Sequence, residues 1–243
     1  MIDELRGVVR AHESSRPRSR QRTIGPSEAG TPCARRLAYR MLDVDPVNTD
    51  SDPWAAIVGT SVHAWLERAF NGANVHGGEY LRWQTEMHVE LPGYMRGSVD
   101  LYDGDTRTVI DHKVLGAASL KRFKADGPGE QYRTQVHLYA CGLRIAGKPV
   151  EHVAIAAWSR SGQLKDAMWW TEPYDEQRVE ACLARFDALR TTTQALGAAA
   201  IPLIPTADAH CMWCPFYLPG VTDVADACGG HAAGPNPTQQ GEQ

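Results

Sequence analysis

Apolar residues recur every three or four positions in three stretches of the chain, and this period predicts α-helices. Between these stretches apolar and polar residues alternate, or run continuously between turn residues, as in β-strands. We predict helices over 54–70, 130–145 and 175–196, and strands over 83–91, 94–102, 106–115, 150–158 and 167–171. This order predicts an α/β (α+β) fold in which helices flank a mixed central sheet. The first helix has enough apolar positions to be largely buried.

The predicted hairpin around 103–105 places charged residues on one face of the sheet. Asp103-Gly104-Asp105 is typical of a tight turn with a two-residue loop. Because side chains alternate along a strand, Asp100, Asp111 and Lys113 then point to the same side. Two neighbouring carboxylates repel each other unless a cation lies between them, and their oxygens suit Mg²⁺ or Mn²⁺.

The same pattern also occurs in exposed hairpins, where acidic and basic side chains form cross-strand pairs. The apolar pairs Val109-Ile110 and Val114-Leu115 argue against that alternative, because they predict a strand buried near its centre, where unpaired charges are costly. A lysine beside a metal ion can orient or deprotonate water, or stabilise a developing phosphoryl charge. The segment therefore suits phosphodiester hydrolysis.

Two predicted helices carry further polar residues at helical spacing. His63 and Glu67 are four residues apart and share one face, and Gln131, Gln135 and Tyr139 form a similar stripe. These residues are candidates for the same site. The alternatives are an ordinary core histidine in the first helix and a polar face with a partly buried tyrosine in the second.

Composition is that of a globular protein. The 243 residues are 43% hydrophobic and 22% charged, which excludes a fibre or a wholly disordered chain. No apolar run approaches the roughly 20 residues that cross a bilayer, and the N-terminal residues lack the apolar core of a signal peptide. We therefore expect a cytoplasmic protein, of a bacterial or phage-infected cell, with reduced thiols and no membrane partner.

Charge is distributed unevenly along the chain. Residues 1–40 contain nine arginines and four acidic residues, although the net charge of the whole chain is −4. Such a basic segment is compatible with a nucleic-acid partner, but basic N-terminal segments are often only solvated. We expect a flexible Arg-rich lead-in over 1–26, a single domain over 27–231 and a disordered tail over 232–243.

Four of the six cysteines have a spacing that suggests a metal site. Cys211 and Cys214 form a C-x-x-C pair, Cys33 lies far upstream, and Cys228 follows after thirteen intervening residues. A C-x-x-C pair alone indicates either a redox-active dithiol or half of a zinc site. The other two, Cys141 and Cys182, lie inside predicted helices and are expected to be core residues.

Four motifs, taken in order, resemble the PD-(D/E)XK nuclease superfamily, and within it the RecB-like branch. They are G-T-x-x-H-x-x-x-E at 59–67, G-S-V-D at 97–100, V-I-D-H-K at 109–113 and Q-x-x-x-Y at 135–139. The resemblance implies a restriction-endonuclease-like core and a metal-dependent nuclease.

The resemblance also implies roles for single residues. The ligands of the catalytic Mg²⁺ or Mn²⁺ would be His63, Asp100, Asp111 and the backbone carbonyl of His112. Lys113 would be the catalytic lysine, and the residues that position DNA or this lysine would be Gln135, Tyr139 and Gln131. Glu67 matches a recurrent acidic position and would have a supporting role.

The cysteines resemble those of iron–sulfur nucleases of the AddB type and the CRISPR-associated "Cas four" type. By this resemblance a [4Fe–4S] cluster is held by Cys33, Cys211, Cys214 and Cys228, and it joins the N-terminal and C-terminal segments of the nuclease domain. The gap before Cys228 is longer than the family pattern. A zinc site completed by His210 or His231 is therefore the alternative.

The function that the resemblance implies is a metal-dependent DNA exonuclease, acting at single-stranded ends in DNA recombination, repair or processing. One alternative is a DNA-binding subunit of a recombination complex that keeps the fold, turns over little and recruits a partner protein. The intact set of Asp100, Asp111 and Lys113 argues against it, because a retired site is free to lose these charges. A zinc-dependent redox or regulatory protein is a third hypothesis, supported only by the C-x-x-C pair.

Overall fold

The computed structural model describes residues 1–15, 23–49, 52–74 and 80–231, which form a mixed sheet flanked by helices. The strands in these residues are β1 (Trp83–Leu91), β2 (Met95–Asp103), β3 (Thr108–Leu115), β4 (His152–Ser159) and β5 (Met168–Pro173). They lie side by side in sequence order. β3 and β4 are parallel, whereas the other neighbouring pairs are antiparallel. The predicted α/β class with a mixed sheet is confirmed.

The α-helices of the described residues flank this sheet or lie in the segments before and after it. They are α1 (Ile2–Ser15), α2 (Pro26–Ala29), α3 (Ala34–Met41), α4 (Trp54–Ala73), α5 (Ala117–Asp126), α6 (Glu130–Ile145) and α7 (Glu176–Leu196). α5 and α6 form the crossover from β3 to β4, because parallel strands cannot be joined by a tight turn. The sequence pattern did not predict α1 or α5.

The main core lies between α6 and one face of the sheet. Val109, Val153 and Ile155 of β3 and β4 are fully buried and belong to the same cluster as Val136 and Ala140 of α6. Burying one such aliphatic side chain stabilises the fold by roughly 1.5–3 kcal/mol. This cluster therefore holds α6 firmly against β3, and these two elements carry most of the predicted site residues.

Helix α4 is exposed over most of its length, so the prediction that it is largely buried is wrong. Leu66 is the one residue of α4 that is buried, and Trp54 and Trp65 are each 61% exposed. The helix reaches the sheet through a narrow stripe that includes Phe70, whose ring lies 5.2 Å from that of Trp83. Phe70 packs against a small second cluster on this face of the sheet, which includes Leu101 and Ile110, whereas the two tryptophans of α4 remain exposed.

The β2–β3 connection has four residues instead of the predicted two, because Asp103 pairs with Thr108. The Asp103 carboxylate accepts hydrogen bonds from Asp105 N at 3.1 Å and Thr106 Oγ1 at 2.8 Å, and Arg107 adopts a left-handed conformation with φ 53°. These bonds stabilise the longer turn. Since the loop is longer by an even number of residues, the strand positions that were predicted to share a face still do.

The described chain divides into two compact units, and the single domain expected over 27–231 stays a prediction. The first unit comprises Met1–Gly30 and Asp52–Phe186 and contains the sheet. The second is formed by the described residues of Thr31–Ser51 and Asp187–Gln243. In the second unit two segments distant in sequence pack together, and Arg35 Nε donates a hydrogen bond to Ile204 O at 3.0 Å.

The predicted lead-in over 1–26 includes a regular element, since α1 covers Ile2–Ser15. Residues 16–22 of the lead-in and the predicted tail over 232–243 lie outside the described residues. None of the helices in the described ranges combines the length and the apolar character that a bilayer span requires.

Candidate active site

The pairing of β2 with β3 ends next to Asp100. Leu101 pairs with Ile110, and beyond this pair the carboxylate of Asp100 accepts a hydrogen bond from His112 N at 2.7 Å. In β1, Glu86 falls between the residues that pair with Leu101 and Val99 and has φ 48°, which is uncommon for a residue other than glycine. A side-chain oxygen of Asp100 thus takes the place of a strand partner where regular pairing stops.

Asp111, Lys113 and Gln135 form a connected set of polar contacts between β3 and α6. Lys113 Nζ lies 2.8 Å from Asp111 Oδ2 and donates a hydrogen bond to Gln135 Oε1 at 2.9 Å. Gln135 Nε2 donates to Asp111 Oδ1 at 3.0 Å and to Tyr139 Oη at 3.1 Å. The Gln135 amide therefore orients both the lysine and the carboxylate, and Tyr139 helps to orient the amide.

His63 brings α4 to the same place. Its Nδ1 lies 3.3 Å from Asp100 Oδ1. Burial lowers the pKa of His63, but the hydrogen bond to Asp100 and the charge of that carboxylate outweigh burial, so the pKa is raised above its ordinary value. The structure thus brings together His63, Asp100, Asp111, Lys113, Gln135 and Tyr139, which come from two strands and two helices.

The two carboxylates have pKa values that are shifted in opposite directions. Burial raises the pKa of Asp100, but His63, Lys113 and the backbone N–H of His112 together lower it below its ordinary value. Burial raises the pKa of Asp111 to about 6, because the charge of Lys113 offsets only part of this effect and Asp100 adds to it. Two neighbouring carboxyl groups whose pKa values are shifted in opposite directions are typical of a functional site.

The donor atoms of this site suit a hard divalent cation. Carboxylate oxygens and an imidazole nitrogen are ligands for Mg²⁺ or Mn²⁺. Asp111 is 1% exposed, and its Oδ2 accepts no hydrogen bond from the described residues. Lys113 Nζ at 2.8 Å balances part of the charge of this oxygen. The Asp100 carboxylate nearby still raises the pKa of Asp111, so a metal ion shared by the two carboxylates would be favourable. Among the described residues, no three His, Cys, Asp or Glu side chains are already arranged to hold a metal ion, here or at the cysteines.

The side chain of His112 lies away from Asp111, among aromatic residues. Its ring stacks on Phe70 with centroids 5.7 Å apart, and its Nδ1 accepts a hydrogen bond from Trp158 Nε1 at 3.3 Å. Burial lowers the pKa of His112 to about 4, so the ring is neutral at pH 7. A metal-binding role for His112 would therefore use its backbone carbonyl, as the resemblance implies, and this role stays a prediction.

Two predicted residues do not join the set. Gln131 Nε2 donates a hydrogen bond to Ser27 O at 2.7 Å, so this side chain fastens α2 to α6. Glu67 makes no hydrogen bond or ion pair within the described residues. The DNA-positioning role of Gln131 and the supporting role of Glu67 stay predictions.

Sequence reasoning missed the part played by Tyr132 and did not explain Gly97. Lys113 Nζ lies 4.8 Å from the centre of the Tyr132 ring, which is a cation–π contact. A Cβ atom at Gly97 would lie 2.8 Å from Tyr139 Cε1, so only glycine allows this approach. Tyr132 precedes Gln135 by three residues and lies on the same side of α6, and this spacing is the signal that could have found it.

In the second unit the four predicted ligand cysteines line one cavity, together with Arg36 and Tyr39. All four are free thiols: Cys33, Cys211, Cys214 and Cys228. Asn48 Nδ2 donates hydrogen bonds at 3.0 Å to Met212 O and Cys214 O and so holds the C-x-x-C loop. The Tyr39 hydroxyl donates to Val224 O at 2.6 Å or Ala227 O at 2.8 Å, just before Cys228.

The chemistry of this cavity suits a soft metal. Burial raises the pKa of Cys214, and Cys33 and Cys228 raise it further, whereas Arg36 opposes them. A metal would have to displace the thiol protons, after which cysteine sulfurs that line one cavity are ligands for zinc or an iron–sulfur cluster. His231 also lines the cavity, with Nδ1 3.0 Å from Thr206 Oγ1, whereas His210 is not among the residues described around it.

No protein-family model matches this chain, and no curated protein matches its sequence. Among solved structures, LHK-Exo, an alkaline exonuclease from Laribacter hongkongensis solved in complex with dAMP, is similar with a TM-score of 0.50 and 15% identity, over 73% of this chain and 90% of that chain. SSO0001 aligns with a TM-score of 0.49 and 19% identity, over 89% of this chain and 94% of that chain. A phage-related exonuclease from Haemophilus somnus 129PT aligns with a TM-score of 0.44 and 13% identity, over 70% and 80% respectively. The similarity to LHK-Exo shows that this chain has a nuclease-like fold, with a mixed sheet flanked by helices.

Proposed function

We propose that this protein is a metal-dependent DNA exonuclease of the PD-(D/E)XK superfamily that acts at single-stranded ends in recombination, repair or processing. One observation carries the proposal: Asp100, Asp111, Lys113 and Gln135, which come from β2, β3 and α6, meet at the place where β2 separates from β3. LHK-Exo, which shares the fold, is itself an exonuclease by name, and this supports the proposal. We assign the protein to the RecB-like branch of this superfamily because of its four sequence motifs.

The metal would be Mg²⁺ or Mn²⁺, held by His63, Asp100, Asp111 and the backbone carbonyl of His112. When bound, such an ion polarises a phosphodiester and lowers the pKa of a water molecule. The hydrogen bond from His112 N keeps the Asp100 carboxylate in place. The Gln135 amide does the same for Asp111.

Lys113 is the residue of the chain that supplies a positive charge to the proposed site. Its side chain is 16% exposed, so the ammonium group remains accessible while Tyr132 and Gln135 restrict its position. A fixed ammonium group stabilises negative charge as it develops on phosphoryl oxygens. Lys113 also balances the charge of Asp111 in the absence of substrate.

The direct test is degradation of single-stranded DNA labelled at either end, in Mn²⁺, by protein purified without oxygen. Loss of one label before the other would establish exonuclease activity and its polarity. Binding of DNA without cleavage in Mg²⁺, Mn²⁺ and Ca²⁺ alike would contradict the proposal and favour the DNA-binding subunit. A parallel double-stranded substrate measures the preference for unpaired ends.

We expect the affinity for Mn²⁺ to fall as the pH decreases below about 6. A metal ion must displace the proton of Asp111, whose pKa burial raises to about 6, and that of His63, whose pKa is also raised. Each displaced proton lowers the affinity by up to about tenfold per pH unit in this range. Calorimetric titration with Mn²⁺ between about pH 5 and pH 7.5 measures this. A dissociation constant that does not change with pH would contradict binding by Asp111.

Trp65 is the aromatic residue of α4 that we expect to stack on unpaired bases. It is 61% exposed, whereas Tyr139 of the site is 7% exposed and bound to Gln135. Stacking of one base contributes about 1–3 kcal/mol, so Trp65→Ala is expected to weaken binding of a single-stranded oligonucleotide about tenfold. Trp169→Ala is the matched control, because Trp169 is 55% exposed and lies on β5. Equal losses in the two variants would contradict a specific role for Trp65.

For the second unit we propose a [4Fe–4S] cluster on Cys33, Cys211, Cys214 and Cys228, as in the AddB and "Cas four" types. The shared cavity and the soft donor set support it. The zinc alternative would use His231 rather than His210, because His231 lines the cavity. Metal analysis of protein purified without oxygen distinguishes iron and sulfide from zinc.

A further inference from the structure

Helix α5 and the first residue after β4 carry a cluster of basic side chains that the proposed site does not use. Lys121, Arg122 and Lys124 are exposed on α5, and Arg160 follows β4 and is also exposed. Lys121, Lys124 and the side chain of Arg160 form no ion pair or hydrogen bond within the described residues. We call these four residues the basic cluster.

The basic cluster differs in its contacts from several other arginines of this unit. Several other arginines around the sheet are paired with carboxylates, whereas Arg144 donates to the backbone oxygen of Val150. Examples at or below 3.2 Å are Arg82 with Asp103, Arg96 with Glu90, Arg107 with Glu151 and Arg133 with Glu172. The basic cluster has only Asp126 on its own helix, and the nearby Asp166 carboxylate accepts a hydrogen bond from Gln163 N. Its positive charge is therefore left for a ligand.

The basic cluster lies at the end of the sheet where β3 ends, and Lys113 of the proposed site lies close to that end of the strand. β3 and β4 are parallel, so Leu115 and Ser159 mark the same edge, and Arg160 N donates a hydrogen bond to Leu115 O at 2.8 Å. The Arg160 guanidinium lies 3.8 Å from the position that a Cβ atom would take at Gly116, which joins β3 to α5. Lys113 is three residues before Gly116 on β3.

We propose that the basic cluster binds the internal phosphodiesters of the DNA strand whose end occupies the site. This inference rests on the proposed nuclease function and assigns the path of the substrate. Lysine and arginine on an exposed surface contact phosphates without reading bases, and they release counterions on binding. The strand would leave the site over Gly116 and pass along the exposed side of α5.

The test compares binding of a labelled single-stranded oligonucleotide by wild type and by a triple variant, Lys121→Gln, Lys124→Gln and Arg160→Gln. Glutamine keeps helix propensity and removes only charge. Arg107→Gln is the control, because Arg107 is equally a surface arginine but precedes β3 at the opposite edge. Binding is measured in Ca²⁺ over a series of salt concentrations, and thermal unfolding verifies that each variant folds.

Each lost contact to a single strand reduces the slope of log affinity against log salt by about 0.7, so the triple variant is expected to lose about 2 from this slope. Its affinity at low salt should fall at least about tenfold, with the control unchanged. Salt-dependent binding that is equal in wild type and triple variant would overturn the proposed path but leave the nuclease function intact. Absence of DNA binding by the wild type would instead refute the proposed function, and this inference with it.

Oligonucleotides with a 5′-phosphate and with a 5′-hydroxyl separate internal phosphodiesters from a terminal phosphate. We expect the triple variant to weaken binding of both by the same factor. A loss confined to the phosphorylated oligonucleotide would overturn the assignment to the strand's backbone.

Discussion

Asp111→Asn is expected to reduce DNA hydrolysis by at least about 10³-fold, which corresponds to roughly 4 kcal/mol of transition-state stabilisation. The substitution removes one of the two carboxylates available to a cation, and it also leaves the Lys113 ammonium without its counterion at 2.8 Å. Asparagine has nearly the same shape, so the hydrogen bond with Gln135 can be kept. Initial rates on end-labelled single-stranded DNA in Mn²⁺ measure the loss.

The matched control for this experiment is Glu180→Gln, which removes an exposed carboxylate on α7, a helix that carries no residue of the proposed site or of the basic cluster. Lys113→Met is a second test, since it removes the ammonium group and keeps the aliphatic chain against Tyr132. It should cost a similar factor in rate, while circular dichroism shows that the fold is retained. If Asp111→Asn and Lys113→Met both hydrolyse DNA at the rate of Glu180→Gln, the proposed site is wrong.

Cys33→Ala and Cys211→Ala are each expected to abolish the brown colour of an iron–sulfur protein and to lower the melting temperature by about 10 °C. A crosslink between residues 178 positions apart stabilises a fold by about 4–5 kcal/mol in the chain-entropy description. For a chain of this size each kcal/mol changes the melting temperature by about 2–4 °C. Visible absorbance and thermal unfolding of protein purified without oxygen measure both effects.

Cys182→Ala is the control for the cysteine variants. Cys182 is half-buried in α7, and its Sγ lies 3.8 Å from Ala29 O, so it belongs to the first unit and not to the cavity of the second. It should retain colour and lose little stability. Colourless wild-type protein with one equivalent of zinc would favour the zinc alternative, and wild-type protein without bound metal would contradict a metal at this cavity.

The alternation of polar and apolar residues was sufficient to predict the strands and the shared face of the acidic residues. The predicted bounds of β1 and α6 coincide with those in the structure. The length of the β2–β3 loop was predicted wrongly because the bonds that Asp103 makes with the loop do not alter the hydrophobic pattern. The shared face survived that error because alternation depends only on whether the loop gains an even or an odd number of residues.

The exposure of α4 and the division into two units were beyond prediction from sequence. An apolar period indicates which side of a helix is apolar, but not whether another element covers it. Trp54 and Trp65 are therefore exposed on a helix whose sequence pattern predicts burial. Likewise, nothing local indicates that residues 31–49 pack with residues 187–231, because a contact such as that of Arg35 with Ile204 joins positions about 170 apart.

The sequence by itself determined which reactive residues are available. They are Asp100, Asp111 and Lys113 on one face of two neighbouring strands, Gln135 and Tyr139 at helical spacing, and four cysteines. These follow from local periods that a short segment specifies alone. Only the tertiary structure decided that Gln135 orients Lys113 and Asp111, and that Gly97 makes room for Tyr139. Such contacts depend on how α6 packs against β2 and β3, and packing is set by the whole core rather than by any one segment.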